Sequence, residues 1–302
     1  MSDFILTQDN YYTADADRAF MSCSQYQAFR ECEAKALAKI DKRWTDEDCE
    51  AFLVGNYFHS YFEGPEAHEK FCQEHADAIY KTKKDKLGNM VINGKYAPYE
   101  KADKMIKVAE GDEIMKNFID MPGDNEIFMT GTVWGIPWKV KLDKYISDKR
   151  IIVDYKTCAN IQEMKYNPIA KTRETFVETY GYVMRAAIYC EIERQFSGSE
   201  TDAKFILICI SKQDYPDKEI LLVNHRARFD YELEQVKQNI VRIVRIKNHE
   251  ILPHRCGLCD YCRATKKIKS IIPYYKLDPE FKDTREEDYA FSIDDMETVP
   301  EA

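Results

Sequence analysis

Residues 135–158, GIPWKVKLDKYISDKRIIVDYKTC, constrain the chain more than any other segment. Two runs rich in β-branched and aromatic residues flank Ser147-Asp148-Lys149, which reads as a tight turn. A hairpin centred between residues 148 and 149 sets Asp143 opposite Asp154 and Lys141 opposite Lys156. Side chains alternate with period two, so all four fall on one face. Directly opposed Cβ atoms lie ~4.5–5.5 Å apart. Two carboxylates at that spacing repel unless a cation sits between them. Asp154 and Lys156 follow Ile151, Ile152 and Val153, a run that reads as a buried central strand. Charge buried there is costly without a purpose. A hard divalent ion, Mg²⁺ or Mn²⁺, held by the carboxylates with substrate phosphate and water, supplies one. Lys156 beside it can orient or deprotonate an attacking water. The competing reading is a solvated hairpin face carrying ordinary salt bridges.

The flanking sequence reads as α/β. Ser24 is a candidate cap for a helix to about Asp41, and further helices are predicted over 46–63, 65–80 and 99–118. Residues 81–99, rich in Lys, Gly and Asn, read as a mobile connection. Strands are predicted over EIFMTGTVWG, IPWKVKLDKY and RIIVDYKTC, a helix over 175–196, then strands AKFILICISK and KEILLVNHR. A helix over 229–248 carries Phe229, Leu233, Val236, Ile240 and Val244 on its apolar stripe. This order predicts one α/β domain over 21–276, with its core at about 120–225, preceded by a loosely docked arm over 1–20.

With 302 residues the chain can bury a core without staples. No basic-then-apolar leader and no run long enough to span a bilayer is present, so the expectation is a cytoplasmic protein away from membranes. Net charge is −9, but residues 277–302 hold ten acids against two bases. The body is nearly neutral, so a nucleic-acid partner stays open. The tail is predicted to be a disordered, solvating extension. Ten cysteines without a leader do not read as a disulfide framework. Seven are scattered and read as small buried hydrophobes. Cys256, Cys259 and Cys262 form a compact run suited to zinc, an iron–sulfur cluster, or a metal-free packed turn. Arg242, Arg245, Lys247, Arg255, Arg263, Lys266, Lys267 and Lys269 cluster around it, a solvated face of which a subset can line a phosphate groove.

The Asp, ten-residue gap, Asp-x-Lys spacing resembles the PD-(D/E)XK nuclease superfamily, in its RecB-like and RecE-like branch. FMSCSQYQAFRECEA, VGNYFHSYFEG, the two strands, YGYVMRAAIYCEI and RCGLCDYCRATKKI follow that branch in order over about residues 5–270, most like the prophage exodeoxyribonuclease VIII group. The resemblance implies a restriction-endonuclease-like core: a central mixed sheet flanked by helices, with extra N- and C-terminal helices. It implies Asp143 and Asp154 as metal ligands, the Tyr155 carbonyl as another, Lys156 as the catalytic lysine and His59 as an added ligand. It implies Cys32 as fourth partner of the cysteine run in a [4Fe–4S] cluster, with Cys23 in reserve; the last two cysteines are closer together here than is usual. One position departs from the branch: Arg185 stands where a Gln usually precedes the Tyr, here Tyr189. Lys141, Arg185 and Tyr189 are candidate DNA contacts, while Tyr180 and Tyr182 read equally well as core.

The expected activity is metal-dependent hydrolysis of linear double-stranded DNA. The resemblance implies a 5′→3′ phage or prophage recombination exonuclease, assembled as a homo-oligomer and working with a RecT-like single-strand annealing partner. The rivals are an endonuclease or single-strand nuclease with the same site, a DNA-binding scaffold whose site has decayed, and a module whose cysteines are its main function.

Overall fold

The computed structural model describes residues 4–46, 49–167, 171–268, 271 and 273–277. The acidic tail, apart from Leu277, and Lys269 lie outside these described residues. The chain divides into two compact units, Met1–His254 and Arg255–Ala302. In the first, helices α1 (Ala14–Ala19), α2 (Cys23–Glu31), α3 (Glu33–Ile40), α4 (Glu50–Glu63), α5 (Pro65–Glu74) and α6 (Ala76–Ile79) come first. Strands β1 (Tyr80–Lys84) and β2 (Met90–Lys95) then precede α7 (Ala97–Glu110) and α8 (Glu113–Asp120). Next come β3 (Asp124–Val133), β4 (Ile136–Ile146), β5 (Ile151–Cys158), β6 (Met164–Asn167) and β7 (Thr172–Thr175). Helices α9 (Phe176–Thr179) and α10 (Tyr182–Ser197), strands β8 (Lys204–Ser211) and β9 (Lys218–Val223), and helix α11 (Arg226–Lys247) complete the unit.

The central sheet is mixed, in the order β3-β4-β5-β8-β9. β5 runs parallel to β8, and the other neighbours are antiparallel. A parallel neighbour needs a crossover, and α10 lies on it. The apolar runs of β5 and β8 are long because both faces are covered. Ile152, Phe205, Leu207 and Cys209 pack in one cluster with residues of α2, α3, α10 and α11. Val153, Tyr155, Ile206, Ile208 and Ile210 pack in the other with α4 and α7.

Several local expectations change. Ser22, not Ser24, caps α2, its hydroxyl accepting from Gln25 N at 3.2 Å. The predicted helix to Asp41 breaks at Cys32, whose φ of −160° and ψ of 105° are extended. Residues 81–99 are not a connection: β1 and β2 form a hairpin whose turn is pinned by Asp85. The helix predicted over 175–196 starts at Phe176 but is divided at Gly181, whose φ of 68° suits a residue without Cβ, and an unpredicted β6–β7 hairpin precedes it. The arm is docked more firmly than predicted. Tyr11 is buried, and Met21 pairs with Trp138 as an isolated parallel bridge. Of the seven scattered cysteines, Cys49 is exposed and Cys72 half-buried.

Candidate active site

The β4–β5 register is the one read from the sequence: Ile146 pairs Ile151, Tyr145 pairs Ile152 and Lys144 pairs Val153. A short 3₁₀ turn, Ser147–Lys149, closes it. Arg150 leaves that turn in the left-handed region at φ 49°. Its guanidinium grips the fully buried Glu193 of α10, Nε to Oε1 at 2.9 Å, and Tyr145 OH donates to the same oxygen at 2.6 Å. This clamp ties the turn to the helix that crosses beneath it.

Past Lys144 the two strands behave differently. Leu142 and Tyr145, three residues apart, pack in the same cluster, so alternation slips at Asp143–Lys144. The Tyr155 N–H donates to Asp143 Oδ2 at 2.8 Å. The four charged side chains therefore do not share one flat face. Lys141 turns to Glu126 at 2.5 Å, with its ammonium 5.0 Å from the Tyr12 ring centre. The two aspartates still meet at Lys156. Its Nζ is 2.7 Å from Asp154 Oδ2, 3.5 Å from Asp143 Oδ2 and 2.9 Å from the Tyr155 carbonyl oxygen.

Helix α4 brings the fourth group. Phe62 stacks on Tyr155 at 4.9 Å and 17°, holding the helix against β5 at a gain of about 1 kcal/mol beyond burial. One turn earlier, His59 Nδ1 comes within 3.3 Å of Asp143 Oδ2. Burial pushes the His59 pKa below its ordinary value, with Lys156 adding to that and Asp143 opposing it. The neutral ring is the metal-ligating form. Burial would raise the Asp143 carboxyl, but Lys156, His59, the Tyr155 N–H and Arg185 outweigh it and hold it below the usual range.

From α10, Arg185 places Nη1 3.6 Å from Asp154 Oδ1. Its guanidinium lies 5.8 and 6.0 Å from the ring centres of Tyr182 and Tyr189. Tyr189 is 7% exposed and donates its hydroxyl to the Lys141 carbonyl at 3.1 Å, bracing β4. His59, Asp143, Lys156 and Arg185 line one cleft of about 630 Å³ with Tyr11, Tyr12 and Glu126. Sequence reasoning read Glu126 only as strand and the two tyrosines only as arm. The antiparallel register of β3 on β4, which sets Phe128 opposite Lys141, was the available signal for Glu126.

The donor set fits a hard divalent ion. Asp154 is 1% exposed, and neither of its oxygens has a hydrogen bond. The close Lys156 ammonium is an ion pair, out of line for one. Buried carboxylate oxygens left in this way, beside a second carboxylate and a backbone carbonyl, are what Mg²⁺ or Mn²⁺ coordinates.

In the second unit, Cys256 Sγ accepts from the N–H groups of Leu258 and Cys259 at 3.4 and 3.3 Å and lies 3.9 Å from Cys262 Sγ. Gly257, at φ 75°, permits that turn. Cys259 stands at the N-terminal boundary of helix α12 (Asp260–Ala264), which carries Cys262. N–H groups aimed at sulfur suit a thiolate that ligates metal. No cysteine is in a disulfide. In the first unit, Cys32 is buried at the α2–α3 break. Of the basic residues expected near a phosphate groove, Lys266 and Lys267 are exposed in the second unit, and several others meet acids of the protein. Arg242 pairs with Glu33 and Arg245 with Glu250, while Lys247 is buried; in the second unit Arg263 pairs with Asp260.

A mixed five-stranded sheet flanked by helices, with Asp143, Asp154 and Lys156 gathered where one strand pair opens, is a fold of the PD-(D/E)XK nuclease class. The model of a PDDEXK-like domain of unknown function, DUF3799, matches residues 22–265, and the chain belongs to that family. It is similar to a crystal structure from Eubacterium rectale described as a "putative exonuclease", at 32% identity and a TM-score of 0.81 over 92% of this chain and 100% of that one. A second solved structure, at 15% identity and a TM-score of 0.26 over 76% of this chain and 91% of its own, carries no argument. No curated protein matches the chain. Among the described residues no helix is long and apolar enough to cross a membrane.

Proposed function

We propose that the chain is a metal-dependent exodeoxyribonuclease that hydrolyses linear double-stranded DNA. The observation that carries this is the convergence of Asp154 Oδ2, Asp143 Oδ2 and the Tyr155 carbonyl on Lys156 Nζ within 3.5 Å. Asp143, Asp154, the Tyr155 carbonyl and His59 would hold Mg²⁺ or Mn²⁺. When bound, the ion supplies charge stabilisation at the phosphate and acidifies a water. Lys156, within reach of both carboxylates, orients that water for in-line attack and steadies its proton. Water oxygen bonds to phosphorus, the phosphorus–oxygen bond to the leaving sugar breaks, and the leaving oxygen takes up a proton. The name of the Eubacterium rectale relative favours exonuclease over endonuclease action. A 5′→3′ polarity, a recombination role in a prophage setting, a homo-oligomer and a RecT-like annealing partner complete the reading.

The cysteine run belongs to the same proposal as the seat of a [4Fe–4S] cluster or Zn²⁺, with Cys32 as fourth ligand. His254, the last residue of the first unit, donates its N–H to Glu33 at 2.6 Å and accepts from Ala34 N at 3.1 Å, beside Cys32.

The test is degradation of end-labelled linear duplex by anaerobically purified chain, with Mg²⁺ or with EDTA, alongside Asp154→Ala and covalently closed circles. Metal-dependent loss of linear DNA alone, absent in the variant, is expected. Cleaved circles indicate an endonuclease; no cleavage by wild type indicates a binding protein.

A further inference from the structure

The inner site already balances its own charge. Asp143 and Asp154 are matched by Lys156 and Arg185, and Glu126 is taken by Lys141. Arg185 cannot give up its proton. One divalent ion with one phosphodiester leaves a single surplus positive charge. A second ion leaves three, around an aspartate that is 1% exposed, and Glu63, which also lines the cleft, offsets only one of them.

Arg185 is built for more than that balance. It lies between the Tyr182 and Tyr189 rings, and Tyr189 is itself fixed to β4, so the guanidinium is held before any ligand arrives. Its Nη1 stands 3.6 Å from Asp154 Oδ1, too far for a hydrogen bond, and its buried Nε has no hydrogen-bond partner among the described residues. Lys156 faces the other oxygen, Oδ2. The two cations thus divide the Asp154 carboxylate between them, and the arginine keeps donors in hand at the cleft wall.

Resting on the nuclease reading above, we propose that the Arg185 guanidinium takes the place of a second metal ion. It balances Asp154 Oδ1 and offers its uncommitted N–H groups to the scissile phosphate, so the chain works with one divalent ion. A guanidinium suits this because its fork matches phosphate oxygens.

The test is calorimetric titration of the full, cluster-loaded chain with Mn²⁺, without DNA. One ion per wild-type chain is expected, and none at this site in Asp154→Asn. Arg185→Gln is expected to bind Mn²⁺ about tenfold tighter or to take up a second ion. It should also bind a blunt duplex in Ca²⁺ about tenfold more weakly, the loss of one charge-assisted phosphate contact. Arg185→Lys keeps the charge and should stay at one ion even where the Gln variant fails to fold. Two ions per wild-type chain, or unchanged duplex binding by folded Arg185→Gln, overturns the proposal. No Mn²⁺ uptake by wild type overturns the metal-dependent reading itself and this inference with it.

Discussion

Glu193→Gln tests whether the clamp behind the active-site hairpin holds the strands in register. Glu193 is fully buried, and its carboxylate takes Arg150 through two nitrogens and Tyr145 through its hydroxyl. Removing one member of a buried pair costs ~3–5 kcal/mol, because the other charge is left without a partner. The Arg150 side chain keeps 23% exposure and further bonds to Thr201, so the lower end applies, about 3 kcal/mol. Arg150 also sits in the left-handed region, which costs a non-glycine residue ~1–2 kcal/mol and is sustained by the same contacts. With a urea dependence near ~3 kcal/mol per molar, the midpoint should fall by about 1 M. The double variant Arg150→Met, Glu193→Leu should recover part of that loss, since no charge stays buried. A fall below about 0.3 M in Glu193→Gln, or a double variant worse than either single one, would refute the reasoning.

Three further outcomes are expected. Burial pushes Lys247 down to about 7, with Lys139 and Arg18 adding to that and Asp17 opposing it. Between that value and the unfolded value near ~10.4, the unfolded chain binds one more proton, so stability rises with pH. Wild type should gain about 2 kcal/mol from pH 7 to pH 9 over Lys247→Met in urea titrations, and parallel profiles would contradict it. His59→Gln should weaken Mn²⁺ binding by about tenfold or more in calorimetry, without lowering the urea midpoint, because the ring is 28% exposed. Elemental analysis should find iron or zinc in anaerobically purified wild type and lose it in Cys256→Ser; equal metal content would remove the cysteine run from the ligand set.

What the sequence made legible, it made legible through periodicity. Ile151–Val153 and the apolar run of β8 announced buried central strands, and a short turn fixed the register that brings Asp143 near Asp154. Local pattern carries no information on where a strand opens, so the slip at Asp143–Lys144 was invisible, as was the partner of Lys141. The break at Cys32 is a tertiary effect. A helix-favouring sequence is interrupted where Glu33 and Ala34 bind the chain at His254. The β1–β2 hairpin was hidden by five lysines in residues 81–95, a composition that resembles a linker unless strand pairing is tested. Arg185 was visible as an unusual residue, but its place between two tyrosines and an aspartate depends on how α10 crosses β5.

Asp143 accepts from the Tyr155 N–H, so the carboxylate proposed to hold the metal also props two strands apart. That double duty governs how a substrate-trapping form should be made. Alanine at 143 would leave a backbone donor unanswered and invite the strands to zip closed over the cleft. Asparagine retains an acceptor of the same length while removing the charge. A trapped complex made with Asp143→Asn would therefore preserve the shape of the working enzyme, whereas one made with Asp143→Ala would record a cleft remodelled by the substitution.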